Sequence, residues 1–178
     1  LPTAPSTPQS TAVYFPGSTI GNFEREQAVK LLESMAKIAG PGGSVLIGVD
    51  LVKEVTVLES AYDDKEGVTA SFNLNLLHRI KHELGAELSE QGFAHEAFFE
   101  PEESRIEIYL RSLREQTITL EDRVFHLNEG ERIHTEYSHK YSVDGFTKMA
   151  ERAGFVLEHL WTDADDYFAV IHLRQPTR

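Results

Sequence analysis

The sequence predicts an α/β fold interrupted by an α+β region, and three observations carry that expectation. Residues 12–51 run strand, helix, strand with short joints, the pattern of a parallel βαβ unit. Residues 105–141 change to period-two alternation, the mark of half-exposed antiparallel strands. Residues 142–173 then return to a helix followed by two strand runs.

The elements follow in order. Pro2, Pro5 and Pro8 stand among Ser, Thr and Gln, so residues 1–11 read as a disordered linker without enough apolar surface to offset its ordering entropy. Ala12-Val13-Tyr14-Phe15 is a short apolar run ended by Pro16-Gly17, a buried strand. Ala28, Leu31, Leu32, Met35 and Ile38 recur at helical spacing, and Gly40-Pro41-Gly42-Gly43 stops that helix before the strand at 44–51. A short helix is expected over about 55–62. A longer one, with Thr69 as N-cap, places Phe72, Leu76, Leu77, Ile80 and Leu84 on one side before Gly85.

Strands are expected at 105–110, 116–120 and 132–141. Ser142 caps a helix carrying Phe146, Met149, Ala150 and Ala153, and strands at 155–161 and 167–173 close the chain. Trp161 lies in one of these strands and reads as core packing. The expected division is therefore 1–11 linker, 12–62 with 141–178 as the α/β part, and 63–140 as the inserted region.

Composition narrows the function. The chain has 178 residues, enough for one domain with a core. It has no cysteine, which excludes disulfides, thiolate nucleophiles and cysteine-ligated metal, and makes a reducing cytoplasm the default compartment. The formal charge of -12 repels phosphate backbones and anionic membranes, so neither is an expected partner. No apolar run approaches the roughly 20 residues that span a bilayer. The start is neither basic nor followed by an apolar core, unlike a signal peptide, and the missing initiator Met suggests a piece of something longer.

Two passages carry a resemblance. One is Phe15-Pro-Gly-Ser-Thr-Ile-Gly-Asn22, and the other is Thr135-Glu136-Tyr137-Ser138. Between them lie Leu46-Ile-Gly-Val-Asp-Leu-Val-Lys53, Ala61-Tyr62-Asp63-Asp64, Gly67-Val68-Thr69-Ala70 and Phe72-Asn73. In this order and spacing the chain resembles the histidine-specific N-α-methyltransferases of ergothioneine biosynthesis, over nearly everything after Thr11. The resemblance implies a Rossmann-like class I methyltransferase sheet of order 3-2-1-4-5-7-6 with strand 7 antiparallel. The strands expected at 12–15, 44–51, 155–161 and 167–173 would be strands 4, 5, 6 and 7, the C-terminal half of that sheet. Strands 1 to 3 would lie outside the chain, and with them the glycine loop and ribose-binding acid that hold most of the cofactor, S-adenosylmethionine. The exposed edge of strand 4 would then pair with the missing N-terminal half or with a second copy.

The resemblance also implies roles, each set beside a simpler reading. Gly17 and Ser18 would contribute to the cofactor site, with Gly17 against the methyl-transfer centre. Asn22 would hold the substrate's amino and carboxylate groups; read alone, it caps the helix that follows. Tyr62 would bind the substrate carboxylate; read alone, it is a half-buried aromatic. Glu136 and Ser138 would take the two imidazole nitrogens, with Tyr137 facing the core. They share a strand face with Arg132, His134 and Lys140, which also fits a solvated polar face.

Asp63 and Asp64 read as turn residues. His78 and His82 have the i, i+4 spacing of a metal pair, but no third ligand is evident and surface histidines are the simpler reading, so no metal is expected. Catalysis would rest on positioning, with no general base assigned. Two rivals stay open: a relative acting on another aromatic amino acid such as a tryptophan derivative, and a non-catalytic binding fragment.

Overall fold

In the computed structural model, residues 10–177 are described. Residues 1–9 of the expected linker lie outside the described residues; Ser10 and Thr11 are exposed. The elements in chain order are β1 (Ala12–Phe15), a 3-10 turn (Thr19–Asn22), α1 (Arg25–Ala39), β2 (Ser44–Asp50), α2 (Val55–Tyr62), α3 (Val68–Leu84), a 3-10 turn (Glu90–Gly92), β3 (Phe93–Glu100) and β4 (Arg105–Ser112). They continue with β5 (Gln116–Leu120), β6 (Arg123–Leu127), β7 (Arg132–His139), α4 (Val143–Arg152), β8 (Val156–Thr162) and β9 (Phe168–Arg174). The chain divides into two compact units, one running to Lys53 and resuming at Ser138, the other Glu54–Tyr137.

The first unit holds a four-stranded sheet of order β1-β2-β9-β8. β1 pairs parallel to β2, from Ala12↔Ser44 to Phe15↔Ile47, while β2 to β9 and β9 to β8 are antiparallel. This is the strand order 4-5-7-6 with an antiparallel strand 7, as the resemblance implies. The core forms because alternate residues of β2 (Val45, Ile47, Val49) and of β9 (Ala169, Ile171, Leu173) meet the apolar stripes of α1 and α4. Full burial of side chains such as Leu32, Ile47 and Phe146 contributes about 1.5–3 kcal/mol each. Ser142 caps α4 as expected, its side chain accepting from the Gly145 N–H.

Three expectations in this unit fail. The strand at Ala12–Phe15 is not buried: Ala12 and Tyr14 are exposed, Tyr14 by 71%, and Val13 and Phe15 are half-buried, because β1 is at the edge of the sheet among the described residues. Ile38 is 67% exposed, because Ala39, one position on, takes the inward place of the stripe made by Ala28, Leu32, Met35 and Ala36. Trp161 is 52% exposed, because β8 is the sheet's edge strand and every residue in it is exposed.

The second unit packs α2 and α3 on antiparallel strands, with sheets of order β3-β4-β7 and β5-β6. Leu58 meets Ile106 and Ile108, and Leu77 meets Phe93, Leu110 and Leu127. Strands β3 and β6 went unassigned in the sequence because Phe-Ala-His-Glu-Ala-Phe-Phe-Glu and Arg-Val-Phe-His-Leu do not alternate apolar with polar. In α3, Phe72 and Leu84 are exposed rather than buried; Asn73 and Leu77 face inward. Thr69 is not the cap. Gly67 holds that position in a left-handed conformation, and the Asp64 carboxylate accepts from the backbone N–H of Val68 (2.8 Å) and Thr69 (2.9 Å).

Candidate active site

Past the end of β1 the backbone turns through two left-handed residues, Gly17 (φ 77°) and Ser18 (φ 56°). Glycine adopts the first without steric penalty. Ser18 is fixed at both ends: its Oγ accepts from the Asp50 N–H (2.8 Å), and its carbonyl from the Gly21 N–H (2.8 Å). Gly17 lines a pocket of about 260 Å³ with Tyr14, Gly48 and Phe168. A parallel sheet places ligands at this end of its strands. Asn22 closes the 3-10 turn and is exposed. It does not cap α1, which corrects the simpler reading: Glu24 stands at the N-cap, and its N–H donates to Gln27 Oε1 (3.3 Å).

Asp50, the last residue of β2, lies between two ammonium groups. Its Oδ1 is 2.5 Å from Lys53 Nζ and its Oδ2 is 2.6 Å from Lys140 Nζ. Lys140 also donates to Ser138 Oγ (2.9 Å). The Lys140 side chain is 0% exposed, and Ser138 is buried beside it. Burying an ammonium costs several kcal/mol unless it is paired and hydrogen-bonded, and Asp50 with Ser138 meets that requirement. The solvated-face reading of β7 thus holds at Arg132 and His134 but fails at its end, where Ser138, His139 and Lys140 are all buried.

The second unit has its own pocket, of about 450 Å³, lined by Tyr62, Thr69, Phe72, Asn73, Ile108, Thr135 and Glu136 among others. Its walls are mostly apolar, with Phe72 71% exposed and Glu136 half-buried. A part-buried network holds the Tyr62 carbonyl. Asn73 Nδ2 donates to the Tyr109 carbonyl (2.9 Å) and lies 3.0 Å from His95 Nδ1. An amide NH2 can only donate, so His95 Nδ1 accepts, and Nε2 carries the proton it gives to the Tyr62 carbonyl (2.8 Å). Glu136 and its neighbour Thr135 line the same pocket, so the strict alternation expected along β7 has lapsed by this point. Tyr137 is half-buried rather than in a core cluster, because the Arg105 guanidinium lies over its ring at 3.7 Å.

Arg105 also pairs with Glu107 (2.7 Å), whose other oxygen accepts from the Tyr109 hydroxyl. Burial opposes charge on Glu107, but the Tyr109 and Arg105 hydrogen bonds outweigh it and hold the carboxyl below its ordinary range. Burial, and then Glu107, push the Tyr109 phenol up to about 12. Glu90 joins His78 and His82 in a group whose ligand atoms lie within 4.8 Å, a third acid contributed by a distant 3-10 turn that helical spacing alone could not show. Its carboxylate is shared with Lys81 at 3.5 Å, which fits a surface ion-pair cluster.

Of the expected site residues, Tyr62 and Glu136 line one pocket, while Gly17 and Ser18 belong to the turn tied through Asp50 to Lys140 and Ser138. Asp50, Asn73, His95 and Ile108 were not among them. Asp50, a charged residue ending an otherwise apolar strand, was the one visible signal.

A parallel pair followed by an antiparallel pair in the order β1-β2-β9-β8, with a glycine turn beyond β1, is one half of a class I methyltransferase sheet. The chain belongs to the family described as histidine-specific, SAM-dependent methyltransferases, which matches residues 1–175. It is 38% identical over 153 residues to the histidine N-alpha-methyltransferase of Mycolicibacterium smegmatis, covering 85% of this chain and 48% of that protein. It is 29% identical over 165 residues to ergothioneine biosynthesis protein 1 of Neurospora crassa, covering 85% of this chain and 17% of that protein. The chain thus spans about half the length, or less, of these curated relatives. Among the described residues, no helix is long and apolar enough to cross a membrane.

Proposed function

We propose that the protein of which this chain forms the C-terminal half trimethylates the α-amino group of L-histidine, giving hercynine for ergothioneine synthesis. The observation that carries the reading is the pairing of Tyr62 and Glu136 in one pocket of a chain that matches the histidine-specific family along 1–175. S-adenosylmethionine supplies an electrophilic methyl group on a sulfonium. The chain's share of that cofactor site is a wall: Gly17, without a side chain, beside the 260 Å³ pocket, and Ser18 next to it. Strands 1 to 3 of the methyltransferase sheet, with the glycine loop and ribose acid, belong to the N-terminal half, and we assign the side of β1 away from β2 to pairing with it. The chain alone is therefore an inactive fragment. The lack of cysteine suits a reducing cytoplasm, where we place the enzyme.

Catalysis rests on positioning. An amine lone pair held in line and about 3–3.5 Å from the methyl carbon needs little further help. Asn22 and Tyr62 hold the amino-acid head; Glu136 accepts a ring N–H, and Ser138 serves the other ring nitrogen. A tryptophan derivative has an indole N–H but no second ring nitrogen, so Ser138 gives it nothing.

In the full-length enzyme, Glu136→Ala should weaken histidine binding about 10- to 150-fold, the loss expected for one charge-assisted hydrogen bond, with S-adenosylhomocysteine affinity unchanged. Calorimetry with each ligand reads both. An unchanged histidine affinity would remove Glu136 from the pocket's chemistry.

A further inference from the structure

We propose that His78, His82 and Glu90 form a site for a first-row transition-metal ion, zinc foremost, that ties the last turns of α3 to the turn before β3. The inference stands apart from the histidine reading: none of the three lines the pocket of Tyr62 and Glu136. One ligand atom from each lies within 4.8 Å of the other two. His78 and His82 are one helical turn apart, and their ring centroids are 4.2 Å from each other. Donors bonded at about 2.0–2.1 Å to one tetrahedral ion stand about 3.3 Å apart, so the three draw in by about 1.5 Å at most. Side-chain rotation covers that distance, because both histidines are exposed and Glu90 is half-buried.

The third ligand separates this group from an ordinary pair of surface histidines. Glu90 opens the 3-10 turn Glu90–Gly92, whose backbone is pinned. The Gly92 N–H donates to the Ser89 carbonyl (3.0 Å), and the Gly92 carbonyl accepts from the Leu113 N–H (2.8 Å) and from Gln116 Nε2 (2.7 Å). The Glu90 carboxylate is also oriented: Oε1 lies 3.5 Å from Lys81 Nζ, and Oε2 lies 3.6 Å from His78 Nδ1. Lys81 thus takes one oxygen and turns the other toward the histidines, as outer-shell partners do for metal-bound carboxylates. The donor set names the class of ion. Two imidazoles and one carboxylate suit zinc, copper or nickel, whereas magnesium and calcium call for more oxygens. Three protein ligands leave a fourth position for water. An ion held by both segments favours the folded second unit, in which they meet.

The test titrates zinc by calorimetry into the full-length enzyme, freed of any affinity tag and stripped with a chelator, and repeats the titration with magnesium. The wild type should take up one more zinc per chain than the His78→Ala/His82→Ala double variant, with no such difference for magnesium. Glu90→Gln should weaken that zinc by at least about 10-fold, the lower bound for losing even an outer-shell partner. Zinc should raise the thermal midpoint of the wild type, and the rise should shrink in both variants. None of the three side chains belongs to a core cluster, so the variants should fold. If the double variant does not, His82→Gln alone carries the comparison. Equal zinc uptake in the wild type and the histidine variants overturns the site. Uptake lost in the histidine variants but unchanged in Glu90→Gln reduces it to a helical histidine pair and overturns the three-ligand proposal. An equal thermal rise in all the proteins overturns the tie between α3 and the turn before β3.

Discussion

Gly21 sets how closely the turn after β1 approaches the end of β7. A Cβ placed there would lie 2.9 Å from the His139 carbonyl oxygen and 3.3 Å from its nitrogen. Both are backbone atoms of a buried residue, so neither can move aside as a side chain would. Gly21→Ala should therefore destabilise the fold by about 1–3 kcal/mol, the range for overpacking. A urea melt reads it as a lower midpoint at unchanged slope, and a stability within error of wild type would contradict that packing. At this scale the sequence revealed residue types better than their partners. Glu136 and Ser138 stood out as polar residues at alternate positions, but the burial of Ser138 and Lys140 depends on Asp50, ninety residues away in sequence. Asn73 and His95 stayed hidden for the same reason: their bonds to Tyr109 and Tyr62 join elements that no local pattern relates.

At the level of elements, local signals worked where a single neighbour decides the outcome. The bounds of α2, the Ser142 cap and the inward stripe of α4 agree with expectation because each depends on residues within one or two turns. They failed where a tertiary partner decides, as in the exposed edge strand β8 and in α3. The start of α3 offers a direct test. Its first two amides, Thr69 foremost, hold the Asp64 carboxyl below its ordinary value of 3.8. A carboxyl depressed in the folded state adds stability above its unfolded pKa and loses it as pH falls through the folded pKa. Asp64→Asn should thus melt below wild type at pH 7, and the gap should narrow as pH drops below 3.8. A gap that is absent at pH 7, or constant with pH, would contradict the capping role.

On the scale of the whole molecule, the sheet order followed from a family resemblance rather than from periodicity, since an apolar run of four residues cannot announce its neighbours. The structure bears out that order and leaves β1 with β2 as its one partner strand among the described residues. The units divide at Lys53/Glu54 and Tyr137/Ser138, which groups α2 with the second unit and Ser138 to Lys140 with the first. Chain pattern gave no sign of the second division, because it falls inside a continuous strand. We propose that this half serves a histidine methyltransferase. The most direct measurement incubates the full-length parent with labelled S-adenosylmethionine and equal amounts of L-histidine, L-tryptophan and L-tyrosine, beside the 178-residue chain alone, and identifies the products by mass. The predicted result is label on the histidine α-nitrogen up to the trimethylated product, with none formed by the chain alone. Equal or better turnover of tryptophan or tyrosine would contradict the histidine assignment, and turnover by the chain alone would contradict its assignment as an incomplete half.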